Sequence, residues 1–289
     1  MQVKRNYARY SHLSGEDVYL YRNVDEFLTV APDTGITSIF YGHGTLDLHI
    51  INRKSENLVV VFHAAADPAK TTLPIFVGHG ITRKLDSSVL LVSEPSLDFG
   101  IPIGWFIGDK NRNLQSDLTK SIRHIARSLG AKNIIFQGNS AGGFAALYYS
   151  HNFPGSLAIP INPQTDVAKY HPDKALKYLE TCWGASATTH IPACTNLLDL
   201  YTSSFPNFVL FVQNTKDQFH MINHYRPWAD RFSGEFGDRW CTLQGDWGEG
   251  HAAPPAHFQE LILQLSLSFN GKWSELLKED DFHDGIIFH

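Results

Sequence analysis

From Leu58 onward, short apolar runs alternate with longer segments of helical period, and this alternation limits the fold more than any other feature of the chain. A run that is apolar at successive positions suits a strand covered by helices on both faces. Strands separated by helical segments form parallel βαβ units. The chain is therefore predicted to form an α/β fold with a mostly parallel central sheet flanked by helices. The predicted strands are LVVVFH (58–63), SVLLVSEP (88–95), NIIFQG (133–138), LAIPIN (157–162), FVLFVQN (208–214) and WCTLQG (240–245).

Two segments between or after these runs have clear helical periodicity. The first places its apolar residues on one stripe and is followed by Gly130, which favours a helix end there. The second follows Pro254 and Pro255, and prolines suit a helix start because the first backbone N–H groups lack an intrahelical acceptor. The apolar faces consist of Leu114, Leu118, Ile122, Ile125 and Leu129 in the first helix, and of Phe258, Leu261, Ile262 and Leu265 in the second.

The first 56 residues differ from the rest of the chain. DVYLYRN, ITSIFYGH and LDLHIINRK are rich in β-branched and aromatic residues and are separated by turn residues, which predicts antiparallel strands. We expect an N-terminal β-rich section over residues 1–56, packed on a main domain over residues 57–289. A small cap is expected within residues 163–206, where HPDKALKYLETCWG is typical of a single short helix.

The strongest chemical signal is the pentapeptide Gly138-Asn139-Ser140-Ala141-Gly142, a G-x-S-x-G motif. An apolar strand precedes it and a helix rich in small residues follows it. This strand–turn–helix context places a serine on a sharp, strained turn at the end of a sheet strand. The flanking glycines allow strand and helix to approach closely, and the helix N-terminus directs N–H groups toward developing negative charge. Ser140 is therefore the candidate nucleophile.

A serine hydroxyl needs an adjacent base that is itself held by a third group. In a sheet of this kind, the nucleophile is followed along the chain by an acid and then by a histidine. Asp217 follows the strand FVLFVQN, and His251 lies in the loop DWGEGHAAPP between the last strand and the last helix. The order predicts a catalytic triad of Ser140, His251 as base and Asp217 as the acid that orients the base.

Other residues near these positions are alternatives for the same roles. His220 is an alternative base, but it lies three residues after Asp217 and should begin the helix that follows that loop. Asp246 and Glu249 flank His251 in one loop, and such close neighbours seldom supply the orienting carboxylate. His251 and Asp217 remain the predicted pair.

The oxyanion of an acyl-transfer intermediate needs two backbone N–H donors. The N–H of Ala141 is the expected first donor. The second should come from the small residues after the first strand of the α/β part, with Ala65 preferred and Ala64 as the alternative. His63 precedes them and is expected to be a structural hydrogen bonder at the pocket. Two tryptophans, Trp105 and Trp247, lie near strand ends and either line the pocket or belong to the core.

Composition and residue spacing exclude several other classes of protein. The formal net charge of −5 gives no electrostatic case for nucleic-acid binding. The three cysteines form no Cys-x-x-Cys pair, and His220 and His224 lack the other residues that a zinc site needs, so no metal or other cofactor is predicted. There is no apolar stretch long enough to span a membrane and no apolar secretion segment near the N-terminus, which favours a cytoplasmic protein.

GNSAGGFAAL, with Asp217 and His251 following it, resembles the α/β-hydrolase superfamily over residues 57–270. A narrower likeness is carried by GWFIGDK (104–110), by Ile161 to Thr165 and by QNTKDQFH. Together they resemble bacterial glycan-associated proteins, including the accessory-Sec proteins that O-acetylate sugars on exported glycoproteins. The resemblance implies that the same serine, aspartate and histidine positions handle acyl groups. The sequence departs from common esterases in having His63-Ala64 where they have His-Gly, which puts the second oxyanion donor in doubt.

These observations predict a serine esterase that cleaves carboxylic esters through an acyl-enzyme, with a small-molecule or glycan ester as substrate and acetyl groups on glycans as one target. An acyltransferase that O-acetylates a sugar acceptor would use the same triad, and so would a peptidase. A non-catalytic glycan-binding or secretion partner is a further alternative, but an intact triad argues against it. The sequence does not indicate the oligomeric state.

Overall fold

A nine-stranded sheet runs through the computed structural model, which describes residues 3–11, 17–186 and 190–279. The strands of this sheet lie in the order β11-β10-β9-β8-β5-β7-β4-β3-β2. Strands β1 and β6 form a separate two-stranded sheet. The strands are β1 (Lys4–Arg5), β2 (Val18–Tyr21), β3 (Gly35–Tyr41), β4 (Gly44–Ile51), β5 (Asn57–Phe62), β6 (Thr72–Leu73), β7 (Ser88–Ser93), β8 (Asn133–Asn139), β9 (Leu157–Ile161), β10 (Phe208–Asn214) and β11 (Trp240–Gly245).

Helices flank the large sheet and connect its parallel strands. The α-helices are α1 (Val24–Phe27), α2 (His79–Thr82), α3 (Leu114–Ser128), α4 (Ala141–His151), α5 (Pro172–Tyr178), α6 (Leu197–Ser203), α7 (Gln218–His220), α8 (Arg226–Arg231), α9 (Ala256–Ser268) and α10 (Trp273–Leu276). Short 3₁₀ segments occur at Ala8–Tyr10, Pro95–Phe99, Val167–Lys169 and Ser233–Glu235, and π-helical turns at Leu179–Trp183 and Met221–Tyr225. The two helices predicted from periodicity correspond to α3 and α9.

Strand β5 shows how the continuous apolar runs are used. Val59 and Val61 belong to a buried cluster that includes residues of α9 and α10. Leu58, Val60 and Phe62 belong to another buried cluster, which includes the apolar stripe of α3. Because successive strand residues point to opposite faces, both faces of β5 are covered by helices. The predicted mostly parallel sheet flanked by helices is confirmed.

The N-terminal strands pair differently from what their sequences predict. β4 is antiparallel to β3 and to β7, as expected. β2, however, pairs with β3 in parallel, with Val18 opposite Ile36, so the expectation of antiparallel pairing is wrong for this strand. The chain between β2 and β3 forms α1 instead of a tight turn, which returns it to the end of the sheet from which β2 began.

The first 56 residues contribute strands to the same sheet as the rest of the chain, since β4 lies between β3 and β7. Arg5 of β1 forms ion pairs with Asp47 of β4 and, at 2.8 Å, with Asp98. A division into a β-rich section and a main domain at residue 56 stays a prediction. Within the described ranges, no helix is long and apolar enough to cross a membrane.

Candidate active site

Ser140 lies on the turn between β8 and α4, with φ 57° and ψ −116°. Few residues with a side chain adopt such a backbone conformation. The turn is also crowded. A Cβ atom on Gly138 would lie 2.2 Å from the carbonyl oxygen of Gly142, and one on Gly142 would lie 2.4 Å from the carbonyl oxygen of Phe62. The glycines of the G-x-S-x-G motif are therefore required by close backbone packing around a strained serine.

Asp217 follows β10 and binds two histidines with one carboxylate. Its side chain caps α7 by accepting a hydrogen bond from the backbone N–H of His220 at 3.1 Å. The Nδ1 atom of His251 lies 2.5 Å from Oδ2, and the Nδ1 atom of His220 lies 2.9 Å from the same oxygen. The two imidazole rings stack, with centroids 3.9 Å apart and an interplanar angle of 14°. The structure thus brings together the predicted acid, the predicted base and its alternative.

The electrostatics of this group determine which atoms carry hydrogens. Burial raises the pKa of Asp217, but hydrogen bonds from His220 and His251 outweigh that effect and hold it well below its usual range. The carboxylate is therefore ionised and can only accept, so both Nδ1 atoms donate to it. Burial also lowers the pKa of His220, against the opposing effect of Asp217, which favours a neutral imidazole there.

Gln164, three residues after the end of β9, connects Ser140 with His220. Its Nε2 atom lies 3.0 Å from Ser140 Oγ and 2.7 Å from His220 Nε2. Its Oε1 atom accepts a hydrogen bond from the indole Nε1 of Trp105 at 3.2 Å. An indole N–H can only donate, which fixes the orientation of the amide. Gln164 was not predicted as a site residue, although it lies in the segment Ile161 to Thr165 that carried part of the resemblance.

The loop that holds His251 is anchored by two asparagines at strand ends. The side chain of Asn162 donates to the carbonyl of Ala252 at 2.8 Å. The side chain of Asn214 donates to the carbonyls of Gly248 and Gly250 at 2.8 and 2.9 Å. The side chain of His251 remains 38% exposed. Over the described part of the chain, its Nε2 atom has no hydrogen-bond partner and Ser140 bonds directly to neither histidine.

The start of α4 lies against the loop that follows β5. A Cβ atom on Gly142 would contact the carbonyl oxygens of both Phe62 and His63. The first N–H groups of a helix have no intrahelical acceptor, and the Ala141 N–H has no acceptor among the described residues, so it can bind an anion there. In the following loop, the N–H of Ala66 donates to the carbonyl of Pro102 at 2.8 Å and is occupied.

Ala64 and Ala65 are the two predicted candidates for the second donor. Their backbone N–H groups have no acceptor among the residues that the structure describes. Ala65 is exposed and Ala64 is half-buried. The structure leaves both N–H groups free, so the choice between them stays a prediction.

His63 is buried and makes two hydrogen bonds with the backbone. Its Nδ1 donates to the carbonyl of Ala64 at 2.6 Å, and its Nε2 accepts from the N–H of Glu94 at 3.0 Å. Burial lowers the pKa of His63 to about 4, against the opposing hydrogen bond to Ala64. A neutral ring with both nitrogens engaged suits the expected structural role.

The two tryptophans have different surroundings. Trp105 is buried, with Tyr170 of the 163–206 segment packed edge-on against it at a centroid distance of 5.7 Å. Trp247 packs against Phe258 of α9 at 5.9 Å. Only Trp105 is linked to Ser140, through Gln164. Trp247 packs against α9. Its place in the pocket stays a prediction.

Among the described residues, one group could offer ligands to a metal ion. One potential ligand atom from each of Asp217, His220 and His251 lies within 4.8 Å of the others. His224, considered above as a partner of His220, instead accepts a hydrogen bond from the backbone N–H of Thr165 at 3.2 Å. Burial and the neighbouring His220 lower the pKa of His224 to about 3.

Comparisons with known proteins agree with this geometry at the level of the fold. No family model matches the sequence, and no curated protein matches it. The structure is similar to the capsule O-acetyltransferase of Neisseria meningitidis serogroup A, with a TM-score of 0.59 and 17% identity over 81% of this chain and 95% of that one. It is also similar to Esterase B from Lactobacillus rhamnosis, with a TM-score of 0.54 and 14% identity over 89% of this chain and 93% of that one. The chain has the α/β-hydrolase fold.

A further solved structure extends the likeness to glycan-associated proteins. The Glycosylation Associate Protein (Gap123) complex from Streptococcus agalactiae matches with a TM-score of 0.55 and 14% identity over 86% of this chain. This chain spans about half the length of that protein, 48%. The resemblances drawn from the sequence motifs, to α/β-hydrolases and to glycan-associated acetyltransferases, thus recur among the structural neighbours.

Proposed function

We propose that this protein is a serine hydrolase that cleaves carboxylic esters through an acyl-enzyme. The observation that carries the proposal is the position of three groups at the carboxyl ends of parallel strands on one side of the sheet. Ser140 follows β8 on a strained turn, Asp217 follows β10, and His251 lies in the loop after β11. In open α/β sheets, this end of the strands is where ligands bind.

The proposed reaction gives each of these groups a separate role. Ser140 Oγ attacks the ester carbonyl while Nε2 of His251 takes its proton, and Asp217 stabilises the imidazolium through the Nδ1 hydrogen bond. The carbonyl oxygen becomes an oxyanion bound by the N–H of Ala141 and by that of Ala65 or Ala64. The imidazolium then protonates the departing alcohol. Water, deprotonated by His251, attacks the acyl-enzyme and releases the acid and the free serine.

Transfer of the acyl group to a sugar hydroxyl is the second candidate. The same steps apply, except that the sugar oxygen replaces water in the last attack. The similarity to a capsule O-acetyltransferase favours this candidate and supports an acetyl ester of a glycan as the compound made or cleaved. Fold similarity alone does not fix the substrate. The two candidates are distinguished by their products, a free acid for hydrolysis and an acylated sugar for transfer.

One experiment tests the nucleophile and then the reaction. Wild-type protein and Ser140→Ala are treated with a fluorophosphonate probe, and the modified peptide is identified by mass spectrometry. We expect labelling at Ser140 in the wild type and none in the variant. p-Nitrophenyl acetate is then supplied with and without an oligosaccharide acceptor. Free acetate as the product supports the hydrolase, an acetylated sugar supports the transferase, and near wild-type turnover by folded Ser140→Ala would exclude both.

A further inference from the structure

In the enzyme without substrate, Ser140 Oγ accepts a hydrogen bond from the side chain of Gln164, which is not part of the triad. Gln164 is fully buried, and its Nε2 carries two hydrogens. One hydrogen points to Ser140 Oγ at 3.0 Å and the other to His220 Nε2 at 2.7 Å. Ser140 Oγ is the atom that becomes bonded to the acyl group, so Gln164 touches the reacting centre.

The orientation of this amide is set by its two other partners. The indole of Trp105 can only donate, which makes Oε1 the acceptor on that side. The Nδ1–H of His220 donates to the ionised Asp217, which leaves its Nε2 as an acceptor for the amide. Rotating the amide by 180° would place Nε2 against the donor of Trp105 and Oε1 against the lone pair of His220. Trp105 and His220 are thus positioning residues for Gln164.

A donor on Oγ acts unequally on the two halves of the proposed reaction. In the acyl-enzyme, Oγ is an ester oxygen with little negative charge and accepts a hydrogen bond weakly. When the second tetrahedral intermediate collapses, the Oγ–acyl bond breaks, its electron pair returns to Oγ, and the imidazolium of His251 delivers the proton. Within deacylation, negative charge on Oγ is largest during that step. Acylation passes through the reverse of this step, but it starts from a serine hydroxyl that already accepts the amide hydrogen bond, so the donor contributes less to its rate. Only interactions that strengthen toward the transition state accelerate it.

We propose that Gln164 is a further catalytic residue, whose amide N–H stabilises Ser140 Oγ as the leaving group in release of the acyl-enzyme. This inference rests on the proposed function. It also explains why His220, although bound to Asp217, does not serve as the base, because its Nε2 lone pair is occupied by the Gln164 amide. His251 Nε2 has no such partner within the described residues.

The test compares acylation with deacylation in Gln164→Leu. This substitution keeps much of the buried volume and removes the donor. Acyl-enzyme is formed from p-nitrophenyl acetate, and its decay is followed by intact mass spectrometry. The decay is measured only on molecules that have already been acylated, so a misfolded fraction does not affect it. Gln213→Leu is the matched control, since Gln213 is equally buried at the end of β10 and its amide donates to the carbonyl of Asn214 instead.

We expect Gln164→Leu to slow the decay of the acyl-enzyme by about tenfold to hundredfold, in the range found when one oxyanion donor is removed or somewhat below it. The burst of p-nitrophenol should slow much less, so the acyl-enzyme accumulates. Trp105→Phe, which removes the indole N–H but keeps a ring, should shift the ratio of the two rates in the same direction by a smaller factor. Gln213→Leu should leave the ratio unchanged.

Two results would overturn the inference while leaving the proposed function intact. One is an acyl-enzyme in Gln164→Leu that forms and decays at wild-type rates. The other is a loss of equal size in both steps, which indicates general damage to the site. Absence of fluorophosphonate labelling at Ser140 in the wild type would overturn the proposed function, and this inference with it.

Discussion

His220 and His251 stack face to face, with ring centroids 3.9 Å apart, above a carboxylate that both of them bind. One acid thus orients two imidazoles. They differ in the second nitrogen, because Nε2 of His220 is bound by Gln164 while Nε2 of His251 has no partner within the described chain. The difference in hydrogen bonding supports the proposal that His251 is the base, although both rings satisfy the distance to Asp217.

The first prediction compares the two histidines directly. His251→Ala should reduce ester hydrolysis nearly as much as Ser140→Ala, because the serine and its base act as one unit. His220→Ala should cost far less, since it removes a positioning contact and not the proton acceptor. Asp217→Asn should lower kcat by about 10⁴-fold, as in other triads. Steady-state kinetics of the folded variants provide the measurement, and a His220→Ala protein less active than His251→Ala would reverse the assignment.

The second prediction concerns acyl chain length. The space beside Ala141 is bounded by Ala65, Leu97 and Trp105 and is too narrow to hold a water molecule, so a longer acyl group must displace more of its walls. We expect kcat/KM for p-nitrophenyl esters to fall from acetyl to decanoyl. Leu97→Ala enlarges this space without touching the hydrogen bonds of Ser140 and should move the preference toward longer chains. Rates that rise steadily with chain length in the wild type would contradict the prediction.

The third prediction is that activity needs no metal ion. Asp217, His220 and His251 lie close enough to bind one, but both Nδ1 atoms already donate to the carboxylate. A metal there would displace those hydrogen bonds and disrupt the proposed base. Treatment with EDTA followed by dialysis should leave the hydrolysis rate unchanged. A loss of activity that zinc or manganese restores would show that this group works as a metal site.

The fourth prediction concerns stability and pH. Burial raises the pKa of Glu94 from 4.5 to about 7, against the hydrogen bonds from Ser96 and Phe106. Between these two pH values the folded protein holds a proton that the unfolded chain has lost, so the free energy of unfolding falls as pH rises. The contribution is about 3 kcal/mol across this interval.

Glu94→Gln cannot titrate and should lose this part of the pH dependence. Urea unfolding of both proteins at pH 4.5, 6 and 7.5 provides the comparison. The wild type should lose more stability than the variant between the lowest and the highest pH. Parallel profiles for the two proteins would show that Glu94 has an ordinary pKa.

The sequence predicts best those features that depend on local pattern. The strands from β5 to β11 that form the large sheet lie within two residues of their predicted bounds, because continuous apolar runs are unambiguous when both faces are buried. The strained turn at Ser140 follows from glycines that only a close backbone approach requires. The order of Asp217 and His251 at successive strand ends was sufficient to place them together.

Features that depend on contacts between distant segments were not predictable in this way. Gln164 and Trp105 are 59 residues apart, and nothing in either local pattern indicates their hydrogen bond. His220 was expected to begin a helix, but it ends the short helix α7. In this position its ring binds Asp217. The parallel pairing of β2 depends on the path of the chain through α1, which residue propensities in the strand do not reveal.

The backbone conformation of Ser140 has a consequence for the evolution of stability in this chain. At φ 57° a side chain costs about 1–3 kcal/mol relative to a relaxed residue, and glycine would largely avoid that cost. Ser140→Gly should therefore raise the melting temperature while abolishing turnover, and Ser140→Ala should abolish turnover without that gain. A lower melting temperature for Ser140→Gly than for Ser140→Ala would contradict this. Selection for thermal resistance alone would thus favour loss of the hydroxyl at position 140, which the proposed function requires.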